Sequence, residues 1–192
     1  QKYRMSRESL SKLCNLVKDH EAFNPNSRTR QQTNPKHQLM CLLVYLSCEG
    51  SGASNPMLRS LFRLGRGTFD NFKKRCIRAI IDCLADKYLN WPTEGERTEI
   101  ARRFKNDFGW PNLVGIADGT LLPLAFQPET DDAPDYHGRK YRYSLSVLVI
   151  NDDKRRIRYF LAGWPGKTHD NRVFRNSKVA KKPTEFFRPN EY

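Results

Sequence analysis

The residue best suited to chemistry in this chain is Asp118, within the run LVGIADGT at positions 113–120. An apolar stretch stops on Asp118, and Gly119 follows at once. A buried strand that ends on a carboxylate would hold that group rigidly for a metal ion, and the glycine would let a ligand approach closely. The same Asp-Gly pair is equally typical of a turn between two strands. The residues alone leave both interpretations open.

Further carboxylates would be needed, because phosphodiester cleavage with two hard cations uses several carboxylates from separate elements. Asp170 precedes a predicted helix, where it is either a neighbour of Asp118 or simply the helix cap. Asp152 and Asp153 are predicted to lie, solvated, in a hairpin turn, and the acidic loop at 128–135 is predicted to be a surface feature. At most two carboxylates are therefore well placed.

The charge of the chain points to a polyanionic partner. Lys and Arg number 34 against 21 Asp and Glu, a net charge of +13. Before Pro111 there are 20 basic and 11 acidic residues, and from Pro111 onward 14 and 10, so the excess is greater in the first part. Nucleic acid is favoured over an acidic membrane surface. The candidate contacts are Lys73, Lys74, Arg75 and Arg78 on a predicted helix, and Arg139, Lys140 and Arg142 before a predicted strand.

These two basic clusters also have plainer interpretations: a solvated helix face and a charged strand edge that discourages aggregation. The five cysteines form no CxxC pair and are odd in number, so zinc and disulfides are poorly supported. We expect reduced, buried thiols in an intracellular protein. No apolar run reaches membrane-spanning length and no signal peptide opens the chain, so no membrane partner is expected.

The elements fall into two regions. Residues 1–110 are predicted to be helical, with a short helix from Asn55 to about Leu64, a break at 65–67 and a second helix capped by Thr68. This is the outline of a helix-turn-helix. From Asn112 the period changes to that of strands, with two strands around Asp118-Gly119-Thr120 and two more at 143–150 and 156–164. Helices followed by a sheet predict an α+β chain of two domains, 1–110 and 111–192.

Several motifs in order resemble transposases of the PIF/Harbinger type and the related DDE-superfamily endonucleases. They are WP, a helix and FxxxxGWPN, then GIADGT, then YHGRKYRYSLSVLVINDD, then GWPGKTHDNRVF. The resemblance begins at about residue 90. It extends less specifically through the first half, where the family carries a helix-turn-helix. It implies an RNase H-like catalytic core that uses Mg²⁺ or Mn²⁺ to nick DNA at transposon ends and join them to a target. Residues 111–192 would form the first half of that domain, with a mixed β-sheet.

The resemblance also assigns roles to residues. Asp118 corresponds to the first catalytic carboxylate, a metal ligand, whereas Asp170 recurs in the family outside the acidic triad and is a second candidate ligand. The second Asp lies in a segment resembling GDSGY and the Glu lies on a later helix, both beyond Tyr192. The chain looks cut at both ends, and by itself it is expected to be inactive. It departs from the family at Leu121, where His is common, and at Tyr141, where Gly is common.

The resemblance further implies a nuclear protein that binds DNA, with a homodimer and a separate DNA-binding accessory protein as possible partners. An alternative is a non-catalytic DNA-binding protein derived from a transposase, in which the helix around 73–78 contacts DNA and Asp118 is a relic. A third hypothesis is a basic α+β domain with no role on DNA. The sequence beyond Tyr192 would separate the first two, since an Asp followed by a helical Glu supports the enzyme.

Overall fold

In a computed structural model of the chain, the described residues are 5–24, 33–48, 55–138 and 141–192. They form helices and one three-stranded antiparallel sheet, which confirms the α+β class. The sheet is antiparallel over the described residues, not mixed as predicted, because consecutive strands pair with their neighbours. The chain divides into two units, Gln1–Lys87 and Tyr88–Tyr192.

The first unit is helical, as predicted. Its elements are α1 (Arg7–Val17), a short 3-10 helix (Glu21–Phe23), α2 (Pro35–Cys48), α3 (Asn55–Phe62) and α4 (Arg66–Tyr88), the last of which ends at the first residue of the second unit. Ser6 caps α1 by accepting the Ser9 N–H at 3.1 Å. The core forms where the apolar stripes of α1, α2 and α4 meet, with Leu10, Val17, Leu39, Leu42, Cys76 and Ala79 buried together.

The predicted helix-turn-helix is not confirmed. The two helices are present, but α3 ends at Phe62 and α4 begins at Arg66, so that Thr68 lies inside α4 and does not cap it. The Phe69 N–H donates to the Gly65 carbonyl at 3.0 Å. Gly65 therefore supplies the first carbonyl acceptor of α4, and Gly67 is accommodated within its exposed first turn.

The second unit contains α5 (Glu94–Phe108), β1 (Ile116–Pro123), α6 (Ala133–Tyr136), β2 (Ser144–Asn151), β3 (Ile157–Pro165), α7 (Asp170–Arg175), α8 (Lys178–Lys181) and α9 (Pro183–Phe186). Thr93 and Glu96 form a capping box at the start of α5. The strands run in the order β1-β2-β3. β2 is the central strand, and its buried residues include Val147, Leu148 and Ile150.

The boundary between the units differs from the predicted one at 110/111, because α5 is bonded to the sheet unit. Arg103 pairs with Asp153 after β2, with Nε 2.5 Å from Oδ2. Trp91 Nε1 donates to the carbonyl of Phe186 at 2.7 Å. Phe108 is 58% exposed at the end of this helix. Long-range partners therefore assign α5 to the second unit, although its sequence continues the helical pattern of the first.

The cysteines partly match the prediction. Cys41 and Cys76 are buried free thiols, whereas Cys14 is half-buried and Cys83 is exposed. Burial raises the pKa of Cys41 to about 11 and that of Cys76 to about 12, so both remain protonated at neutral pH. The side chain of Cys48 lies outside the described residues. Within the described ranges, no helix combines the length and the apolar character that crossing a bilayer requires.

Candidate active site

Asp118 lies in the middle of β1, which passes through it without a turn. Along the ladder with β2, Asp118 stands opposite Val149 and Gly119 opposite Leu148. The Asp118 side chain is exposed, and its Oδ1 accepts the N–H of Gly119 at 2.8 Å. The sequence interpretations of a buried strand end and of a turn are both wrong. The strand continues because β2 pairs with it on both sides of the Asp-Gly step.

The position of the Asp170 side chain explains why residue 119 is a glycine. A Cβ atom at position 119 would lie 2.3 Å from both Cγ and Oδ1 of Asp170, closer than real carbon atoms approach. The Asp170 carboxylate at the start of α7 therefore occupies the space where a side chain of β1 would stand. The sequence placed Asp170 as a possible neighbour of Asp118, and the fold does bring it against the next residue of the strand.

The two carboxylates nevertheless flank the strand from opposite sides. Side chains alternate along a strand, so Asp118 projects from the face opposite to the one on which Gly119 meets Asp170. Oxygen donors of this kind fit a hard divalent cation. Among residues 5–24, 33–48, 55–138 and 141–192, however, no group of three or more His, Cys, Asp or Glu side chains converges on a metal position. Asp118 thus offers one suitable ligand and an incomplete set.

A cavity of about 350 Å³ opens beside Gly119, on the side of Asp170. Its lining comes from β1 and from the loop that enters α7, and it includes Thr120, Leu121, Gly166, Lys167, Thr168 and His169. Gly166 is required for close packing, because a Cβ there would lie 2.2 Å from the Ser144 hydroxyl oxygen. That buried hydroxyl has no hydrogen-bond partner among the described residues. The cavity is therefore bounded by the edge strand β1 on one side and by the loop that enters α7 on the other.

The C-terminal residue lies beside the segment that leads into β1. The Tyr192 N–H donates to the Asn112 carbonyl at 3.1 Å, and the Val114 N–H donates to the Tyr192 carbonyl at 2.7 Å. These two bonds have the pattern of a parallel bridge. The segment just before β1 thus makes a short parallel contact with Tyr192.

The cations predicted on α4 are mostly engaged within their own unit. Lys73 lies 2.9 Å from Asp70 and over the Tyr45 and Phe69 rings, and its side chain is only 15% exposed. The prediction that α4 exposes it is therefore wrong. Arg78 is exposed but pairs with Glu21 at 2.7 Å. Arg75, also predicted to be exposed, is half-buried and has contacts of its own, while Lys74 is exposed.

In the second basic cluster, Arg142 is exposed just before β2. Arg139 and Lys140 lie outside the described residues, so the predicted contacts at these positions have no structural description.

The sequence interpretation missed a buried ion-pair network at the turn between β2 and β3. The Asp152 side chain, predicted to be solvated, is fully buried. Its Oδ2 accepts from Arg156 Nε at 2.8 Å and from Arg158 Nε at 2.9 Å, and Arg158 also reaches Glu96 of α5. Burial alone would raise the pKa of Asp152, but the hydrogen bonds from Arg156 and Arg158 outweigh it and hold that pKa below the ordinary value.

Asp153 was also predicted to be solvated, yet its side chain is nearly buried and accepts two bonds from Arg103. The signal available in the sequence was the close spacing of Asp152, Arg156 and Arg158. Glu96 and Arg103 are too distant in the chain for such a signal.

The segment that carries these residues is similar to known proteins. Residues 117–192 match the family described as DDE superfamily endonuclease. The "Protein ALP1-like" of Arabidopsis thaliana is 25% identical over 179 residues, which are 93% of this chain and 43% of that relative. The chain therefore spans less than half the length of the relative it matches. No solved structure matches it. The segment that contains Asp118, Gly119 and Asp170 is thus similar to DDE superfamily endonucleases, and the resemblance predicted from the motifs is confirmed.

Proposed function

We propose that this chain supplies Asp118 as a metal-binding carboxylate to an endonuclease that cleaves the phosphodiester bonds of DNA, and that it acts within a longer protein. The observation that carries the proposal is an exposed carboxylate on an edge strand, inside the segment that matches the endonuclease family. Nicking at transposon ends and joining to a target are the corresponding activities proposed for the whole protein.

The buried and half-buried acids of the unit differ from the exposed Asp118 in their partners, and this difference supports Asp118 as the metal ligand. The carboxylates of Asp152, Asp153 and Glu191 are bonded to arginines. A carboxylate that already neutralises a guanidinium binds a divalent cation poorly. Within the described residues Asp118 has no cationic partner, and its carboxylate accepts the N–H of the neighbouring Gly119. Its charge therefore remains available for a hard ion such as Mg²⁺ or Mn²⁺.

The role of each group follows from its position. A bound ion would supply activation of the attacking oxygen and stabilisation of the leaving oxygen. Asp118 would fix the ion against a rigid strand, since β2 pairs with β1 on both sides of it. Further acids from the longer protein would be needed to complete the ligand set.

The decisive experiment uses the longer protein and a supercoiled plasmid with Mg²⁺ or Mn²⁺. We expect metal-dependent nicking that Asp118→Asn lowers by about a thousandfold or more, because metal stabilisation of the transition state is worth several kcal/mol. Asp131→Asn is the matched control, since Asp131 is an exposed acid of the loop before α6. Nicking that survives Asp118→Asn would refute the proposal.

A binding experiment on the 192-residue chain separates the two predicted ligands. Mn²⁺ should broaden the amide resonances of Gly119 and Thr120, because a paramagnetic ion acts on nearby nuclei. Asp118→Asn should remove the broadening. If Asp170→Asn weakens Mn²⁺ binding equally, both carboxylates are ligands, as the sequence predicted. If it has no effect, Asp170 lies outside the metal site.

A non-catalytic DNA-binding role is the second candidate, because the described residues hold no group of three acids while the chain carries a net charge of +13. It predicts DNA binding by the longer protein with no nicking under any divalent metal. Binding in that case would not respond to Asp118→Asn. Nuclear localisation, a homodimer and an accessory protein are proposed on the same resemblance.

A further inference from the structure

The second unit contains a run of exposed cations that the candidate active site does not use. Between residues 166 and 182 there are six Lys or Arg residues and one acid, Asp170. Lys182 pairs with Glu185 at 2.8 Å. The remaining five, named here the basic segment, are Lys167, Arg172, Arg175, Lys178 and Lys181, and all are exposed.

In the part of the chain that the structure describes, the basic segment differs from several cations of its unit in forming no ion pair with a carboxylate. Arg97, Arg103 and Arg158 each pair with a carboxylate. Across the described ranges of the chain, no ion pair is formed by any side chain of the basic segment. The five positive charges of the basic segment repel one another, because they are exposed and close together in sequence.

The acid within the run does not neutralise it. The Asp170 carboxylate fits against the backbone of Gly119, where it fills the space of a missing Cβ. It is therefore turned toward the sheet. The same contact fixes the start of the basic segment beside β1, at the residue that follows Asp118 and on the strand face opposite to the Asp118 side chain.

The cations also have a shared geometry. Arg172 and Arg175 are three residues apart on α7, and Lys178 and Lys181 are three apart on α8, a spacing that places each pair on one side of its helix. The buried side chains of these helices are Val173 and Val179, which face inward.

A second cavity, of about 290 Å³, is lined by two of these cations. Lys167 and Arg172 line it together with Trp164 and Asp135. Asp135 is the acid of this cavity, and in the described part of the chain it is joined to neither cation by an ion pair. Cations next to an aromatic ring suit the phosphates and bases of a nucleic acid.

We infer that the basic segment is the surface that holds the phosphodiester backbone of duplex DNA and delivers it to the edge strand β1. This inference rests on the proposed function, because it names where the substrate of that site binds. It differs from the sequence interpretation, which assigned DNA contact to α4 and to the residues before β2. Neutralisation of several phosphates by unpaired Lys and Arg releases counterions and makes binding strongly salt-dependent.

The test measures the affinity of the 192-residue chain for a short DNA duplex of arbitrary sequence by fluorescence anisotropy, without divalent metal, between about 50 and 200 mM salt. The variant is Arg175→Gln with Lys178→Gln and Lys181→Gln. We expect the slope of log affinity against log salt to fall in magnitude by about 2 to 3, and affinity near 100 mM salt to fall by about tenfold or more.

The matched control removes the same net charge from ion-paired positions: Lys12→Gln, Arg102→Gln and Lys182→Gln. These exposed side chains pair with Glu8, Glu99 and Glu185. The control should keep the slope of the unmodified chain. If both triple variants lose affinity and slope equally, net charge alone explains binding and the inference is wrong.

Two further outcomes also decide the question. Absence of DNA binding by the unmodified chain, or tighter binding of duplex RNA through the same residues, would overturn the assignment of DNA as the partner. If the triple variant loses its cooperative thermal transition, Arg172→Gln with Arg175→Gln replaces it, with an expected fall in slope of about 1 to 2.

Failure here is distinguishable from failure of the proposed function. The anisotropy assay contains no metal and no cleavage step, so a basic segment that does not bind DNA leaves the role of Asp118 standing. Conversely, nicking that survives Asp118→Asn removes the metal role and leaves a salt slope that depends on the basic segment.

Discussion

Two regions of the second unit use charge in opposite ways. At the turn between β2 and β3, Asp152 and Asp153 are buried and bonded to arginines from β3 and α5. In the basic segment, by contrast, the cations are exposed and form no ion pair with a described residue. Asp118 is likewise exposed, and no described cation pairs with it. Neutralised charges hold the fold together, whereas charges left open are available to a ligand. Exposure and pairing therefore distinguish the charges that hold the fold together from those that remain accessible to a ligand.

The largest effect is expected where a paired charge is removed. Asp152→Asn should lower the free energy of unfolding by about 3 to 5 kcal/mol, because Arg158, itself buried, loses its carboxylate partner. Urea unfolding measures this loss. Asp118→Asn is the control and should leave the midpoint unchanged. If Asp152→Asn lowered the free energy of unfolding no more than Asp118→Asn does, the stability of the turn would not depend on its ion pairs.

Substitutions at the contact between Gly119 and Asp170 should have an intermediate effect on the free energy of unfolding. Gly119→Ala should destabilise the chain by about 1 to 3 kcal/mol, since its Cβ overlaps the Asp170 carboxylate. In an Asp170→Ala background the same substitution should be neutral, or stabilising by about 0.5 to 1 kcal/mol, because alanine restricts the unfolded chain more than glycine does. A double-mutant cycle measures the coupling. Additive effects would show that the two residues do not meet.

Acid should weaken the paired region around Asp152. The pKa of Asp152 is lower in the folded chain than its ordinary value near 3.9. Its contribution to stability is therefore fully present above pH of about 4 and is lost as the pH falls through the folded pKa, by at most about 1.4 kcal/mol per pH unit. Chemical denaturation between about pH 3 and 7 measures the slope. Asp152→Asn should flatten it, and an unchanged slope in that variant would assign the acid sensitivity to other groups.

The sequence was sufficient for patterns carried by neighbouring residues. Helical periodicity predicted the first unit, and β-branched runs predicted β2 and β3. The motifs around Asp118 and Asp170 predicted the similarity of residues 117–192 to DDE superfamily endonucleases. The Asp-Gly pair was misread because glycine is also demanded by close packing, and its partner Asp170 lies some fifty residues away in the chain. A rule that assigns turns from neighbouring residues cannot detect a contact between residues so far apart in the chain.

Charges at turns and on helices were the second source of error, for the same reason. Asp153 is buried by Arg103, which is 50 residues away, and Arg158 reaches Glu96 across 62 residues. Residues of a turn are assigned to solvent unless such partners are known. The open cations of the basic segment were overlooked because their spacing resembles that of any solvated helix face. They differ from Lys73 only in the folded chain, where Lys73 pairs with Asp70 and they form no ion pair with a described residue.

Lys73 and Lys74 provide the finest test of the comparison, because they are adjacent lysines on α4 with different surroundings. Lys73 is paired with Asp70 and covers two rings, whereas Lys74 is exposed. Lys73→Gln should cost about 0.5 to 1 kcal/mol of stability through the lost contact with the rings, without changing the salt dependence of DNA binding. Lys74→Gln should leave stability unchanged. Thermal melting and anisotropy measure the two properties. The opposite result would be a lower salt slope in Lys73→Gln with no loss of stability. Because a lysine that stabilises the fold cannot be replaced without a loss of stability, that result would assign DNA contact to the face of α4, as the sequence first indicated.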